Sequence, residues 1–77
     1  MTPDDVPTIP VAEGGIRLGQ FLKFADFAES GSQARELIVG GDVKVDGEVE
    51  TRRGRQLATG MLIEVQVPGG TMAARVG

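Results

Sequence analysis

In one stretch of the chain the hydrophobic positions recur with the period of an α-helix. Its apolar residues stand at i, i+3, i+4 and i+7, which places them in one stripe along a helix face. They are Leu18, Phe21, Leu22 and Ala25. The spacing predicts an amphipathic helix over 16–27, with Lys23 on its solvent side. Phe21, Phe24 and Phe27 are expected in the core rather than stacked on nucleic-acid bases, because this chain has few other large apolar residues to fill the core.

A second helix is predicted directly after the first. Ser30 and Gln33 match the capping box, in which each side chain bonds a free backbone N–H at the start of a helix. Two glycines at 40–41 predict its end. Ser32 and Arg35 lie off the apolar stripe and are expected to face solvent. The stripe consists of Ala34, Leu37 and Ile38.

A hairpin is predicted after the second helix. Val43 and Val45 alternate with Lys44, which places the two valines on one face of a strand and the lysine on the other. Asp46-Gly47 is a strong signal for a two-residue turn. The return strand is expected over 48–50.

Two further strands complete the predicted fold. Residues 61–67 alternate in hydrophobicity, and residues 8–11 alternate weakly around Pro10, which restricts them to a sheet edge. A loop is expected over 51–60. The order strand, helix, helix, hairpin, strand predicts an α+β fold, with two short helices packed on a small antiparallel sheet.

The chain has 77 residues, which permits one small domain. We expect that domain over 8–68. Prolines and like charges predict a flexible acidic tail over 1–7, and a flexible C-terminal tail is expected over 69–77.

The composition argues against catalysis and metal binding. Cysteine and histidine are absent, which removes thiolate ligands, the usual zinc ligands and the usual general base. We therefore expect no enzyme, no metal or other cofactor, and no small-molecule substrate. No segment has the apolar length that crosses a membrane, and residues 1–10 do not resemble a signal peptide, so we expect a monomeric cytoplasmic protein.

The net charge of −3 is unfavourable for a nucleic-acid-binding protein, but its distribution changes the interpretation. The acidic excess lies before Gly14. From Gly14 onward the chain has as many acidic as basic residues, so the clustering of the basic ones becomes the relevant observation.

The densest positive charge lies in the predicted loop. Arg52, Arg53 and Arg55 stand close together there, and the planar arginine fork matches two phosphate oxygens at once. The alternative is a solvated loop balanced by Glu48 and Glu50. These residues alone leave both interpretations open.

The start of the second helix is another candidate for anion binding. Free N–H groups and the positive end of the helix dipole attract anions there, and Gly31 permits close approach. The alternative is that Ser30 and Gln33 only cap the helix. This choice also stays open.

Four motifs in a fixed order resemble the RNA-binding domain of ribosomal protein S4, known as the alpha-L motif. They are Arg17-Leu18, Phe21-Leu22-Lys23, Ser30-x-Ser32-Gln33-Ala34-Arg35-x-x-Ile38 and Gly41-x-Val43-x-Val45-x-Gly47. The resemblance extends over about 16–67. The sequence Glu50-Thr51-Arg52-Arg53-Gly54-Arg55 is most similar to small stand-alone bacterial members, which are ribosome-associated.

The resemblance implies a protein that recognises structured RNA, ribosomal or transfer RNA, through phosphates and shape, with a ribosomal subunit as a further candidate partner. In this family the two helices and the hairpin form the RNA-binding surface. The residues that match it are Lys23, Ser32, Gln33, Arg35, Lys44, Arg52, Arg53 and Arg55.

One departure from the family lies in the second helix, where Gly31 replaces an arginine found in many members and removes one phosphate contact. An alternative function needs no RNA. The acidic tail and the sheet edges would then recruit a protein partner by strand addition.

Overall fold

The computed structural model describes residues 6–11 and 14–77, which form two helices and several short strands. The acidic tail predicted over 1–7 therefore lies outside the described residues as far as residue 5. In chain order the elements are β1 (Thr8–Ile9), β2 (Ile16–Arg17), α1 (Leu18–Phe24), α2 (Gly31–Val39), β3 (Val43–Val45), β4 (Glu48–Val49), β5 (Gln56–Leu57), β6 (Leu62–Val67) and β7 (Gly70–Val76).

The main sheet has the strand order β1-β7-β6-β3-β4. Its neighbours are antiparallel except β1 and β7, which run parallel. The fold is therefore α+β with a mixed sheet. This confirms the predicted fold class and corrects the expectation that every strand is antiparallel. Strands β2 and β5 form a separate antiparallel pair.

One face of the main sheet packs against the two helices. Alternate residues of β3, β6 and β7 point to this face because successive side chains of a strand point to opposite sides. The fully buried side chains there and on the helices include Phe21, Leu18, Leu22, Ile38, Val43, Ile63, Val65 and Val76. Lys44 and Glu64, paired in register across β3 and β6, lie on the opposite face.

The flexible tail predicted over 69–77 is wrong. Residues Gly70–Val76 form β7, which pairs with β6 along its length and with β1 on its other side. Ala74 and Val76 are buried. Alanine gives little strand signal, so the alternation in this segment was weak. The carbonyl of Pro7 accepts a hydrogen bond from the Arg75 N–H at 2.8 Å, so Pro7 is held against β7 and is not part of a flexible tail.

The first helix is shorter than the predicted 16–27. Residues Ile16–Arg17 form β2, whose partner β5 (Gln56–Leu57) lies inside the predicted loop over 51–60. Leu57 is 2% exposed, so burial of this side chain explains the pairing. Phe24 ends the helix with 61% of its surface exposed, which contradicts its expected place in the core. Phe21 is buried and Phe27 packs against the core.

The second helix and the hairpin follow the prediction closely. The Oγ of Ser30 accepts a hydrogen bond from the Gln33 N–H at 3.1 Å, but the Gln33 side chain accepts one from Glu29 and not from Ser30. Asp46 and Gly47 have φ of 51° and 86°, the left-handed conformation of a two-residue hairpin turn. Neither helix of the described residues has the length or the apolar run that spanning a membrane would require.

Candidate nucleic-acid interface

A cleft opens on the outer surface between α1, the start of α2 and the loop over 51–55, which we call the basic loop. Its volume is about 310 Å³. We call it the basic cleft, and it is lined by Arg17, Gly19, Gln20, Lys23, Gly31, Arg53 and Gly54. Three of these residues are cationic and none is a carboxylate. The cleft therefore attracts anions.

Backbone hydrogen bonds hold the basic loop against the start of α1. The Leu18 N–H donates to the Arg55 carbonyl at 2.9 Å, and the Gly19 N–H donates to the Arg53 carbonyl at 3.0 Å. The Arg17 N–H donates to Oε1 of Gln20 at 3.2 Å. The two bonds to the loop carbonyls fix the position at which the Arg53 side chain leaves the loop.

Glycine at position 19 permits this docking. A Cβ atom added to Gly19 would lie 2.6 Å from Cγ of Arg53, closer than two carbon atoms can pack without displacement. Glycine lowers the helix propensity of α1 by about 1 kcal/mol relative to alanine. The close approach of the Arg53 side chain is a physical reason for a glycine at position 19.

Glu50 pairs with two of the three loop arginines. Its carboxylate accepts hydrogen bonds from Arg52 Nε and Nη2, both at 3.1 Å, and from Arg55 Nη1 at 2.8 Å. Glu50 is 7% exposed. The bonds from Arg52, and then the bond from Arg55, hold the pKa of Glu50 at about 2, against its ordinary value of 4.5. The same contact raises the pKa of Arg52.

The sequence left two interpretations open for the basic loop, phosphate binding and charge balance by nearby acids, and each of them fits a different part of the loop. Arg52 and Arg55 serve an internal ion pair with Glu50, although the Arg52 side chain remains 74% exposed. Arg53 instead lines the basic cleft. Glu48, the other acid considered for balance, is exposed in β4.

Substitution of Glu50 by glutamine is expected to destabilise the protein by about 1–3 kcal/mol at neutral pH, because a nearly buried charged hydrogen-bond acceptor is lost. The folded pKa lies below the unfolded one, so this stabilisation is fully present above about pH 4.5 and is lost as the pH falls toward 2. Urea unfolding followed by circular dichroism from pH 7 to pH 2.5 measures it.

The difference in unfolding free energy between wild type and Glu50→Gln should be constant from pH 7 to about pH 5 and should shrink below that. Glu48→Gln is the matched control, because Glu48 is an exposed acid two residues away. A difference that stays constant down to pH 2.5 would contradict the ion-pair assignment.

The structure separates the other predicted site residues. Ser32 and Arg35 lie on the outer face of α2, where they line a second groove with Glu36. Gln33 serves the N-terminal cap of that helix. Lys44 lies on the sheet face away from the helices, in a polar pocket that also contains Glu64. Of the eight predicted residues, only Lys23 and Arg53 line the basic cleft.

Apart from its three glycines, the cleft has two lining residues that were absent from the predicted site. Arg17 and Gln20 line it together with Lys23. Arg17, Gln20 and Lys23 are three residues apart, so their side chains lie on the same side of α1, which Arg17 immediately precedes. That spacing was visible in the sequence. The described residues contain no group of three or more acids that would hold a metal ion.

Comparison with known proteins identifies relatives along most of the chain. The model of the S4 domain family matches residues 9–73. A probable ribosome maturation protein of Bacillus subtilis, RlbA, is 43% identical over 51 residues, which cover 66% of this chain and 72% of that protein. The tyrosine–tRNA ligase of Thiobacillus denitrificans is 38% identical over 84% of this chain, but only 17% of the ligase is covered.

A solved structure extends the similarity to the whole fold. The putative RNA-binding protein YbcJ of Escherichia coli is 42% identical over 48 residues, which cover 62% of this chain and 69% of that protein. Its solution structure, described as containing an alpha-L motif involved in RNA binding, superposes with a TM-score of 0.69 at 30% identity. That superposition covers 99% of this chain and 92% of YbcJ.

Proposed function

Because the chain belongs to the S4 domain family, we propose that it binds structured ribosomal or transfer RNA and acts on the ribosome or during its maturation. The observation that carries this proposal is the basic cleft, which Arg17, Lys23 and Arg53 surround and which no carboxylate of the described residues lines. An RNA backbone supplies the anions that such a cavity would accept.

The expected mode of recognition is contact with phosphates and shape. The paired helix of RNA offers its backbone and 2′-hydroxyls more readily than its base edges. Arg17 and Arg53 have planar forks suited to phosphate oxygens, whereas Lys23 acts as a point charge. Ser32 and Arg35 on the outer face of α2 would extend the contact along the RNA.

The ribosomal part of the proposal is supported by RlbA, which is a probable ribosome maturation protein, and the RNA-binding part by YbcJ. We also propose that the protein is a cytoplasmic monomer. The activity of the tyrosine–tRNA ligases is not carried over, because this chain spans only 17% of the ligase from Thiobacillus denitrificans.

Recruitment of a protein partner by strand addition has less support. The main sheet of the described residues ends in β1 and β4, and each of these strands has two residues. Very short edge strands are one means by which proteins avoid edge-to-edge pairing.

Filter binding of a structured ribosomal RNA fragment, repeated between about 50 and 200 mM salt, tests the function. Gly31 borders the cleft, and a Cβ atom added there meets no atom of the described residues within 4 Å. Gly31→Arg is therefore expected to add one phosphate contact, to raise the affinity about threefold to tenfold and to steepen the salt slope by about one unit.

Gly31→Ala controls for the gain in helix propensity and should leave the salt slope unchanged. A wild-type protein that shows no salt-dependent binding to any structured RNA would refute the proposed function. An arginine variant that binds no better than the alanine variant would show that RNA does not reach this end of the cleft.

A further inference from the structure

Phe24 presents an aromatic ring to solvent beside the basic cleft. Resting on the proposed function, we propose that the site takes an unpaired nucleotide of a structured RNA, with a phosphate in the basic cleft and the base stacked on Phe24. The RNA that fits best is then one with a bulge, an internal loop or a junction, and not a continuous duplex.

The helical position of Phe24 places it next to the cleft. Gln20 and Lys23 both line the cleft. Phe24 stands four residues after Gln20, so their Cβ atoms lie about 5–6 Å apart on the same helix face. The ring therefore continues the lined surface toward the carboxyl end of α1.

The exposure of this ring is not explained by folding. Phe21 is fully buried, and Phe27 packs against the core. Phe24 instead remains 61% exposed, and it ends the helix with no part in the core cluster of the described residues. An aromatic ring next to a cationic groove is the combination that proteins use to hold unpaired nucleotides.

The stacking partner must be an unpaired base. In a continuous duplex both faces of each base are already stacked on neighbours, so a protein ring can reach only nucleotides that leave the stack. A base stacked on an aromatic side chain contributes about 1–3 kcal/mol and shows little sequence preference. The cavity of about 310 Å³ lies at the lower limit of ligand pockets, about 300–1,000 Å³.

The test compares three RNA hairpins that share one stem. The first has a single bulged adenosine, the second has an abasic nucleotide at the same position, and the third is fully paired. The wild-type protein should bind the bulged adenosine hairpin about 5- to 150-fold more tightly than the abasic one, which keeps the phosphate but lacks the base.

Phe24→Ala should remove this preference and leave binding to the paired hairpin within about twofold. Phe24→Tyr keeps a ring and should retain the preference. Val39→Ala is the matched control, because Val39 is equally exposed, at 61%, but lies at the end of α2. Circular dichroism checks that each variant is folded.

Two outcomes would overturn the inference: equal wild-type affinity for the adenosine and abasic hairpins, or a Phe24→Ala variant that keeps the preference. If salt-dependent RNA binding persists in either case, the proposed function stands without this inference. If none of the three hairpins nor a ribosomal fragment binds, the proposed function fails as well.

Discussion

Removal of residues 70–77 is expected to unfold the protein. These residues include β7, which lies between β1 and β6 in the main sheet. The deletion would expose the buried faces of Ile63 and Val65 on the neighbouring strand and would leave β6 without one of its two partners. A domain of this size has a stability of only a few kcal/mol, which is less than the contribution of a central strand.

Circular dichroism and amide proton NMR spectra of the truncated chain measure this effect.

A single substitution in β7 keeps the strand and removes only side-chain packing. Val76→Ala is expected to lower the free energy of unfolding by about 1.5–3 kcal/mol, because Val76 is 1% exposed. Thr71→Ala, at an exposed position of the same strand, should change it by less than about 0.5 kcal/mol. A truncated chain with a native spectrum would show that β7 is dispensable.

The sequence predicted the elements whose signals are local. The second helix has its cap, apolar stripe and terminal glycines within twelve residues, and the hairpin has its turn between two alternating valines and the return strand. Both appear in the structure at nearly the predicted positions. Such signals suffice because each element depends mainly on contacts within its own segment.

The elements that were missed depend on distant partners. β2 forms because Ile16 and Arg17 pair with residues about forty positions later, and no local pattern announces that pairing. β7 is made of alternating small and medium side chains, Met72, Ala74 and Val76, whose strand propensity is weak until β6 lies beside them. The strand conformation of both segments therefore depends on pairing with another strand.

The sequence indicated which types of residue form the candidate site but only part of how their side chains are arranged. The cationic residues were identifiable, but the sequence did not show that Glu50 turns Arg52 and Arg55 toward itself. It also did not show that Gly19 makes room for Arg53. Side-chain pairing inside a loop depends on the path of its backbone, which no residue pattern specifies.

Substitution of Arg53 by alanine is expected to weaken RNA binding more than substitution of Arg52. Arg53 lines the basic cleft, whereas Arg52 bonds Glu50. Both substitutions remove one positive charge from the same loop, so a purely long-range effect of net charge would be equal for the two. Arg53→Ala should lower the affinity for a structured RNA about tenfold and reduce the salt slope by about one unit.

Stability provides the second readout. Arg53→Ala keeps the backbone carbonyl that accepts the Gly19 N–H, so the basic loop should stay docked and the unfolding free energy should change by less than about 0.5 kcal/mol. Arg55→Ala removes the shortest bond to the nearly buried Glu50 carboxylate, so it should destabilise the protein by about 1–3 kcal/mol. Urea unfolding of Arg52→Ala, Arg53→Ala and Arg55→Ala separates the effects on stability from the effects on RNA binding.

Gly19→Ala tests the position of Arg53 without changing any charge. The added Cβ would lie 2.6 Å from Cγ of Arg53, so the Arg53 side chain must move out of its place in the cleft. This variant should lose RNA affinity in the same direction as Arg53→Ala, although alanine favours the helix. If Arg52→Ala and Arg53→Ala weaken binding equally and Gly19→Ala has no effect, then RNA affinity follows overall charge and the basic cleft is not the binding site.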